Sequence, residues 1–142
     1  MKIHIRQIRI EGIELSESLS PEWVGLTRKD NIRFVTLIAI KAGITRADDE
    51  MFARITATSS YESFCYRCLE EMKSDWTANF TLSFDIDKQK EFIDISEDVR
   101  QELILNLPTR ILCQDHCKGL CIDCGVNLNK NECAHQHSVM SR

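Results

Sequence analysis

The cysteines constrain this chain more than any other residue type. All seven fall into two groups: Cys65-Tyr-Arg-Cys68, and a run that reads Cys113-Gln-Asp-His-Cys117-Lys-Gly-Leu-Cys121-Ile-Asp-Cys124-Gly125, followed by Cys133-Ala-His135. The first 64 residues contain none. Any fold of this chain must bring thiols to thiols. At 142 residues the chain is long enough for one compact domain with a real hydrophobic core and short for two. The expectation is an α+β domain over residues 1–112, a cysteine-rich zinc lobe over 113–137 packed on it, and a frayed tail over 138–142.

Zinc is tetrahedral and takes thiolate and imidazole ligands, and a Cys-x-x-Cys turn presents two sulfurs to one ion. Cys121-Ile-Asp-Cys124-Gly125 has that form, with a glycine where the turn favours a left-handed backbone. Cys65-Tyr-Arg-Cys68 has it without the glycine. Seven cysteines cannot fill two four-coordinate sites, and His135 supplies an eighth ligand. The simplest division joins Cys65, Cys68, Cys113 and Cys117 in one site and Cys121, Cys124, Cys133 and His135 in another, giving two structural zinc ions. A split ribbon in which the two Cys-x-x-Cys turns share one ion is an alternative. Another uses Cys117, Cys121, Cys124 and Cys133. His137 is a substitute for His135, whereas His116 and His4 read as solvated. A thioredoxin-like redox site is the main rival, but it needs a Cys-x-x-Cys at a helix start in a βαβ setting, which neither turn has.

The remaining sequence reads mostly as strands. Ile3, Ile5, Ile8 and Ile10 alternate with polar residues, with a slip at Arg6-Gln7, and residues 13–30 read as a connector holding one helical turn at Pro21–Gly25. A central strand is expected from Ile32 to Lys41, ended by Gly43, with a charged turn at 45–51. Phe52–Phe64 leads a further strand straight into Cys65. Asp75–Ile86 alternates cleanly, with Trp76, Ala78, Phe80, Leu82, Phe84 and Ile86 on one face. Asp94 and Glu97 offer a capping box for a helix whose apolar stripe is Ile95, Val99, Leu103 and Leu107, closed by Pro108. The fold class is therefore α+β: a mostly antiparallel sheet of four or five strands, one principal amphipathic helix and the carboxyl-terminal zinc lobe.

No apolar stretch exceeds about four residues, so no membrane span is expected, and the alternating amino terminus is unlike a signal peptide. The expected location is cytoplasmic, where thiols more often bind metal than form disulfides. Phosphate loops, nucleophile elbows and zinc-protease helices are absent from the sequence, and a nearly all-sulfur ligand set suits structural rather than catalytic zinc. No enzyme is expected. The net charge is −4, so a polyanion can be met only by a local patch. Arg67, Arg110, Lys118 and Lys130 lie near the thiols; they could equally be a solvated surface offsetting thiolate charge.

The string Cys65-Tyr-Arg-Cys68-Leu69-Glu70, then Asp94–Glu97, Leu107-Pro108, Leu112-Cys113, and Cys117 through Cys124-Gly125-Val126-Asn127-Leu128-Asn129 to Cys133, closely resembles the YceD family of large ribosomal RNA subunit accumulation proteins. The resemblance covers about residues 50–135. The chain departs from the family's usual Cys-x-Cys ending at Cys133-Ala-His135 and has Ile122 where proline is common. The resemblance implies a non-enzymatic ribosome biogenesis factor that supports accumulation or processing of large-subunit (23S-type) ribosomal RNA. Its partner would be that RNA or its precursor, with Arg67, Lys118 and Lys130 as candidate phosphate contacts. The alternative is a zinc-stabilised adaptor for a ribosomal protein or a processing enzyme.

Overall fold

A computed structural model describes residues 1–27 and 30–133. His135, His137 and the tail to 142 lie outside the described residues. The chain forms β1 (Lys2–His4), β2 (Ile13–Leu19), β3 (Ile32–Phe34), β4 (Ile38–Ala47), β5 (Glu50–Phe64), β6 (Glu71–Asp85), β7 (Phe92–Asp94) and α1 (Ser96–Leu105), with short 3-10 turns at Ile5–Gln7 and Pro21–Val24. Among the described residues all pairings between strands are antiparallel and there is one α-helix, as the sequence led us to expect. No helix among the described residues is long and apolar enough to cross a membrane.

The spine of the main sheet is β5. Along one side it pairs with β4 from Glu50 to Thr58 and with β3 from Tyr61 to Ser63; along the other it pairs with β6 over its whole length. At 15 residues each, β5 and β6 form a hairpin about 50 Å long. Outside β4 lies β2, and β1 pairs with β7 in a separate ribbon.

The alternation of side chains makes one face of the sheet apolar and leaves the other polar. Ile38, Ile40 and Ile44 of β4, Met51 and Ile55 of β5, and Trp76 of β6 are buried on the inner face, in one core with Ile95, just before α1, and Val99 and Leu103 of α1. Trp76 ties the layers together: its indole N–H donates to the Asn106 carbonyl at 3.3 Å, and its ring lies 5.1 Å from that of Phe34. The outer face carries mainly serine, threonine and charged residues.

Several elements differ from the sequence expectation. The first strand stops at His4, because the phase slip at Arg6-Gln7 is a 3-10 turn that sends both Ile5 and Ile8 inward and leaves Ile10 exposed. The expected connector contains the edge strand β2. The expected strand Ile32–Lys41 is broken after Phe34: Phe34 pairs with Tyr61 and Ala39 with Thr58, so residues 35–38 face only residues 59–60. This wide bulge is held by Val35 N–H donating to the Ser60 carbonyl and Ser60 N–H donating to Thr36 Oγ1, both at 2.9 Å. Gly43 does not end a strand; it lies inside β4 on the polar face, where no side chain is needed. The charged segment at 45–51 is a tight β4–β5 hairpin whose Asp48 adopts φ 55°, a left-handed conformation that aspartate tolerates. At α1 the capping box does not form. Ile95 occupies the cap position, and Asp94 instead accepts from the Ser96 hydroxyl at 2.6 Å and the Ser96 N–H at 3.0 Å. These bonds hold the Asp94 carboxyl below the usual carboxylate range.

Candidate metal centre

Strand β5 ends at Phe64, and the chain turns back into β6 through residues 65–70. The Cys-x-x-Cys turn is thus the loop of the long hairpin. It is closed by Cys65 N–H donating to the Glu70 carbonyl at 2.8 Å and by Leu69 N–H donating to the Cys65 carbonyl at 3.0 Å. Leu69, directly after the second cysteine, adopts φ 60°. A leucine there costs about 1–2 kcal/mol relative to glycine. The segment beyond α1 returns to this loop, where Tyr66 N–H donates to the Ile111 carbonyl at 2.8 Å, and so brings Cys113 and Cys117 to the hairpin tip.

The four sulfurs of Cys65, Cys68, Cys113 and Cys117 lie within 4.8 Å of one another. Cys65 and Cys117 are separated by 3.7 Å, as are Cys68 and Cys113. A disulfide needs about 2.05 Å, whereas the edge of a zinc–thiolate tetrahedron with about 2.3 Å bonds is about 3.8 Å. The donor set and spacing fit a tetrahedral thiophilic ion.

A second group comprises Cys121, Cys124 and Cys133, also within 4.8 Å, with Cys121 and Cys133 at 3.5 Å. Here the turn has its glycine: Gly125 adopts φ 76° and donates its N–H to the Cys121 carbonyl at 2.9 Å. Asp123 and Cys124 aim their N–H groups at the Cys121 sulfur, at 3.4 and 3.5 Å. The fourth position assigned to His135 falls outside the described residues. The geometry groups the cysteines as the simplest sequence division does; in the split-ribbon alternative, Cys65 and Cys121 would have shared a site.

Burial opposes ionisation of Cys65, but the N–H groups of Cys68, Cys113 and Arg67 overcome it and bring the thiol from its usual value near 9 to about 6. Cys121 is likewise brought to about 6, its burial outweighed by the N–H groups of Cys124 and Asp123. Cys113 moves the other way, pushed up to about 12 by burial and by the sulfurs around it, and burial also raises Cys68. Each cluster therefore has one thiol biased toward the thiolate, and an ion arriving at the first must displace the protons that Cys113 and Cys68 hold more tightly.

Asn129 braces the first group from the lobe side, a role that sequence reasoning missed. Its Nδ2 donates to the Cys117 sulfur at 3.2 Å and to Asn127 Oδ1 at 3.0 Å, while its Oδ1 accepts from Lys118 N–H at 2.8 Å and from Gln114 at 3.0 Å. An amide donor on a ligand sulfur orients that ligand and tunes the metal. Asn129→Ala is expected to weaken metal affinity at the first cluster about tenfold, read by competition with a chromophoric chelator. Unchanged affinity would remove Asn129 from this role. The Asn127-Leu-Asn129 string between cysteines was the available signal, but nothing in it distinguishes a ligand-orienting amide from a turn residue.

The three cationic candidates are placed differently. The Arg67 guanidinium donates to the Cys117 carbonyl at 3.0 Å and so braces the first cluster. Lys130 is paired with Glu70, which raises its pKa. Lys118 is exposed, with no side-chain partner among the described residues.

Residues 85–142 match the family model described as large ribosomal RNA subunit accumulation protein YceD. The resemblance drawn from the cysteine spacings is shown over this segment, which is somewhat under half of the chain. It contains α1 and the later cysteines, and Cys65 and Cys68 precede it. Two curated relatives are similar to short segments of the chain. One is the chloroplastic large ribosomal RNA subunit accumulation protein YCED homolog 1 of Arabidopsis thaliana, 44% identical over 41 residues, which are 29% of this chain and 13% of that protein. The protein of the same name from Zea mays is 46% identical over 37 residues, 26% of this chain and 13% of that protein. The aligned segment thus spans about an eighth of the length of these relatives. No solved structure matches the chain.

Proposed function

We propose, from a chain whose residues 85–142 carry the YceD pattern, that this protein supports the accumulation of large-subunit ribosomal RNA as a non-enzymatic factor that binds the RNA or its precursor. The observation that carries the metal part of this reading is the approach of four sulfurs to within 4.8 Å at the tip of the long hairpin. In this reading Cys65, Cys68, Cys113 and Cys117 hold one zinc ion, and Cys121, Cys124 and Cys133 hold a second with His135. Zinc bound by four sulfurs has no open position for a substrate, so it fastens chain segments instead of doing chemistry. The lobe from residue 113 onward then serves as a scaffold fixed to the sheet domain. A cytoplasmic or organellar-matrix setting suits these thiol clusters.

A second reading, a protein-interaction adaptor, is favoured by one specific observation. Phe64, Tyr66 and Leu69 around the first turn are more than half exposed, at 53%, 64% and 62%, while Arg67 and Lys130 beside them are already engaged. Binding of a large-subunit ribosomal RNA transcript, followed across a salt series, separates the readings. The RNA reading expects affinity that falls steeply with salt. An absent or salt-independent response would leave the adaptor.

A further inference from the structure

We propose that RNA is bound on the open polar face of the sheet, at Lys41 of β4 and Arg54 of β5, with one unstacked base seated in the hollow above Gly43; this rests on the RNA reading just given. Three observations point there.

The first is charge. Lys41 pairs across the strands with Thr56, and Arg54 with Gly43, so the two cations are diagonal neighbours on one face, about 7–8 Å apart at the backbone. Neither has a carboxylate partner among the described residues, in contrast to Arg33 on the same face, which is paired with Glu62. Two adjacent like charges without a counter-ion form a site for a phosphate.

The second is the chemistry of the surround. Ser16, Thr56, Thr58, Thr77, Asn79 and Thr81 occupy the same face in register with Lys41 and Arg54. Hydroxyl and amide side chains of this kind are the groups that contact phosphates and ribose hydroxyls without reading sequence. Of the carboxylates on this face, Glu50 and Asp85 lie at one end and Glu62, Glu71 and Asp75 at the other, while Glu14, opposite Gly43, stands at the rim of the site itself.

The third is shape. A hollow of about 250 Å³ opens on this face, lined by Gly43, Thr45, Phe52, Arg54, Thr81 and Glu14 among others. A Cβ placed on Gly43 would meet nothing within 4 Å, so the missing side chain leaves the floor open. Phe52 brings an aromatic ring, half-buried, onto an otherwise polar face. An aromatic wall beside a guanidinium is the arrangement on which splayed RNA bases stack, and a carboxylate at the rim accepts from exocyclic amines. The zinc lobe is a poorer phosphate surface: Arg67 and Lys130 are occupied there, and an ion bound by four thiolates leaves a net dianion.

The test uses the full, metal-loaded chain and a fluorescein-labelled single-stranded RNA of mixed sequence, about sixteen nucleotides long, followed by anisotropy across a salt series. Lys41→Glu with Arg54→Glu is expected to weaken binding at least tenfold, and the neutral pair Lys41→Gln with Arg54→Gln to lower the salt slope by about 1.4, the share of two phosphate contacts. Phe52→Ala is expected to cost about tenfold with an unchanged slope. Lys90→Glu, which alters an exposed cation between β6 and β7 and away from this face, should bind as the parent does. Unchanged zinc content and melting temperature in the glutamine variant separate lost binding from lost fold. If the parent binds and both double variants match it, or if Lys90→Glu abolishes binding, the site is wrong and the RNA reading stands. If the parent binds no RNA, both are overturned.

Discussion

Protein purified under reducing conditions is expected to carry two zinc ions per chain, Cys68→Ser one and Cys124→Ser the other. The stoichiometry follows from the sulfur geometry: each substitution removes a ligand from one group and leaves the other group whole. The two variants should differ in stability. Cys68 and Cys113 are 45 residues apart in sequence, and a cross-link closing a loop of that length restricts the unfolded chain by about 4 kcal/mol. The second group joins Cys121 to Cys133, only 12 residues apart, and its loss should loosen the lobe while the sheet keeps its melting transition. Metal affinity at both groups should fall as the pH is lowered, because protons compete for the same sulfurs. The raised thiols of Cys113 and Cys68 must be deprotonated by the incoming ion, so loading at neutral pH should release protons into a weakly buffered solution. Metal analysis of the variants decides the matter. A single zinc lost in both would restore the split ribbon, and no zinc with a reversible disulfide would turn the clusters into redox chemistry.

Trp76→Ala is expected to cost about 3–5 kcal/mol. Trp76 is buried, meets the ring of Phe34 of β3 in a tilted contact, and donates to the Asn106 carbonyl just past the end of α1. Truncation therefore opens a cavity between sheet and helix and also leaves that carbonyl without its donor. Trp76→Phe keeps most of the apolar volume and loses the hydrogen bond, with an expected cost of about 1 kcal/mol. Urea unfolding at constant slope would read both values. A cost below about 1 kcal/mol for the alanine variant would mean that the helix is not anchored through this residue.

Much of this fold was legible where local pattern and burial agree. The alternation of Trp76, Ala78 and Phe80 gave β6, the four-residue spacing of Ile95, Val99 and Leu103 gave α1, and the Pro21–Gly25 turn sits where its proline and glycine put it. What escaped was set by partners distant in sequence. Ile13, Leu15 and Leu19 alternate weakly, and only pairing with β4 makes that segment a strand. The bulge at 35–38 depends on Ser59 and Ser60 across the sheet, which no window around Val35 contains. At the candidate site, ligand counting suggested two sites and chain order their simplest division, and the seven cysteines lie in those two groups. The surroundings were invisible. That Arg67 would turn toward the Cys117 carbonyl and Lys130 toward Glu70 depends on how the lobe lies against the hairpin loop.

Because the Cys65–Cys68 turn is also the loop of the β5–β6 hairpin, it bears on the order in which the molecule assembles. The contacts of β4, β5 and β6 are made between consecutive segments, and such local pairings form early. The turn between β5 and β6 is then shaped before residues 113 and 117 arrive, presenting two sulfurs as a waiting half-site. Closure by the distant pair, which must bear the entropy of a long loop, becomes the late step, and if the proposed zinc ion fastens it, the supply of that ion would set its pace. In the cell, metal supply would therefore govern how quickly new chains mature.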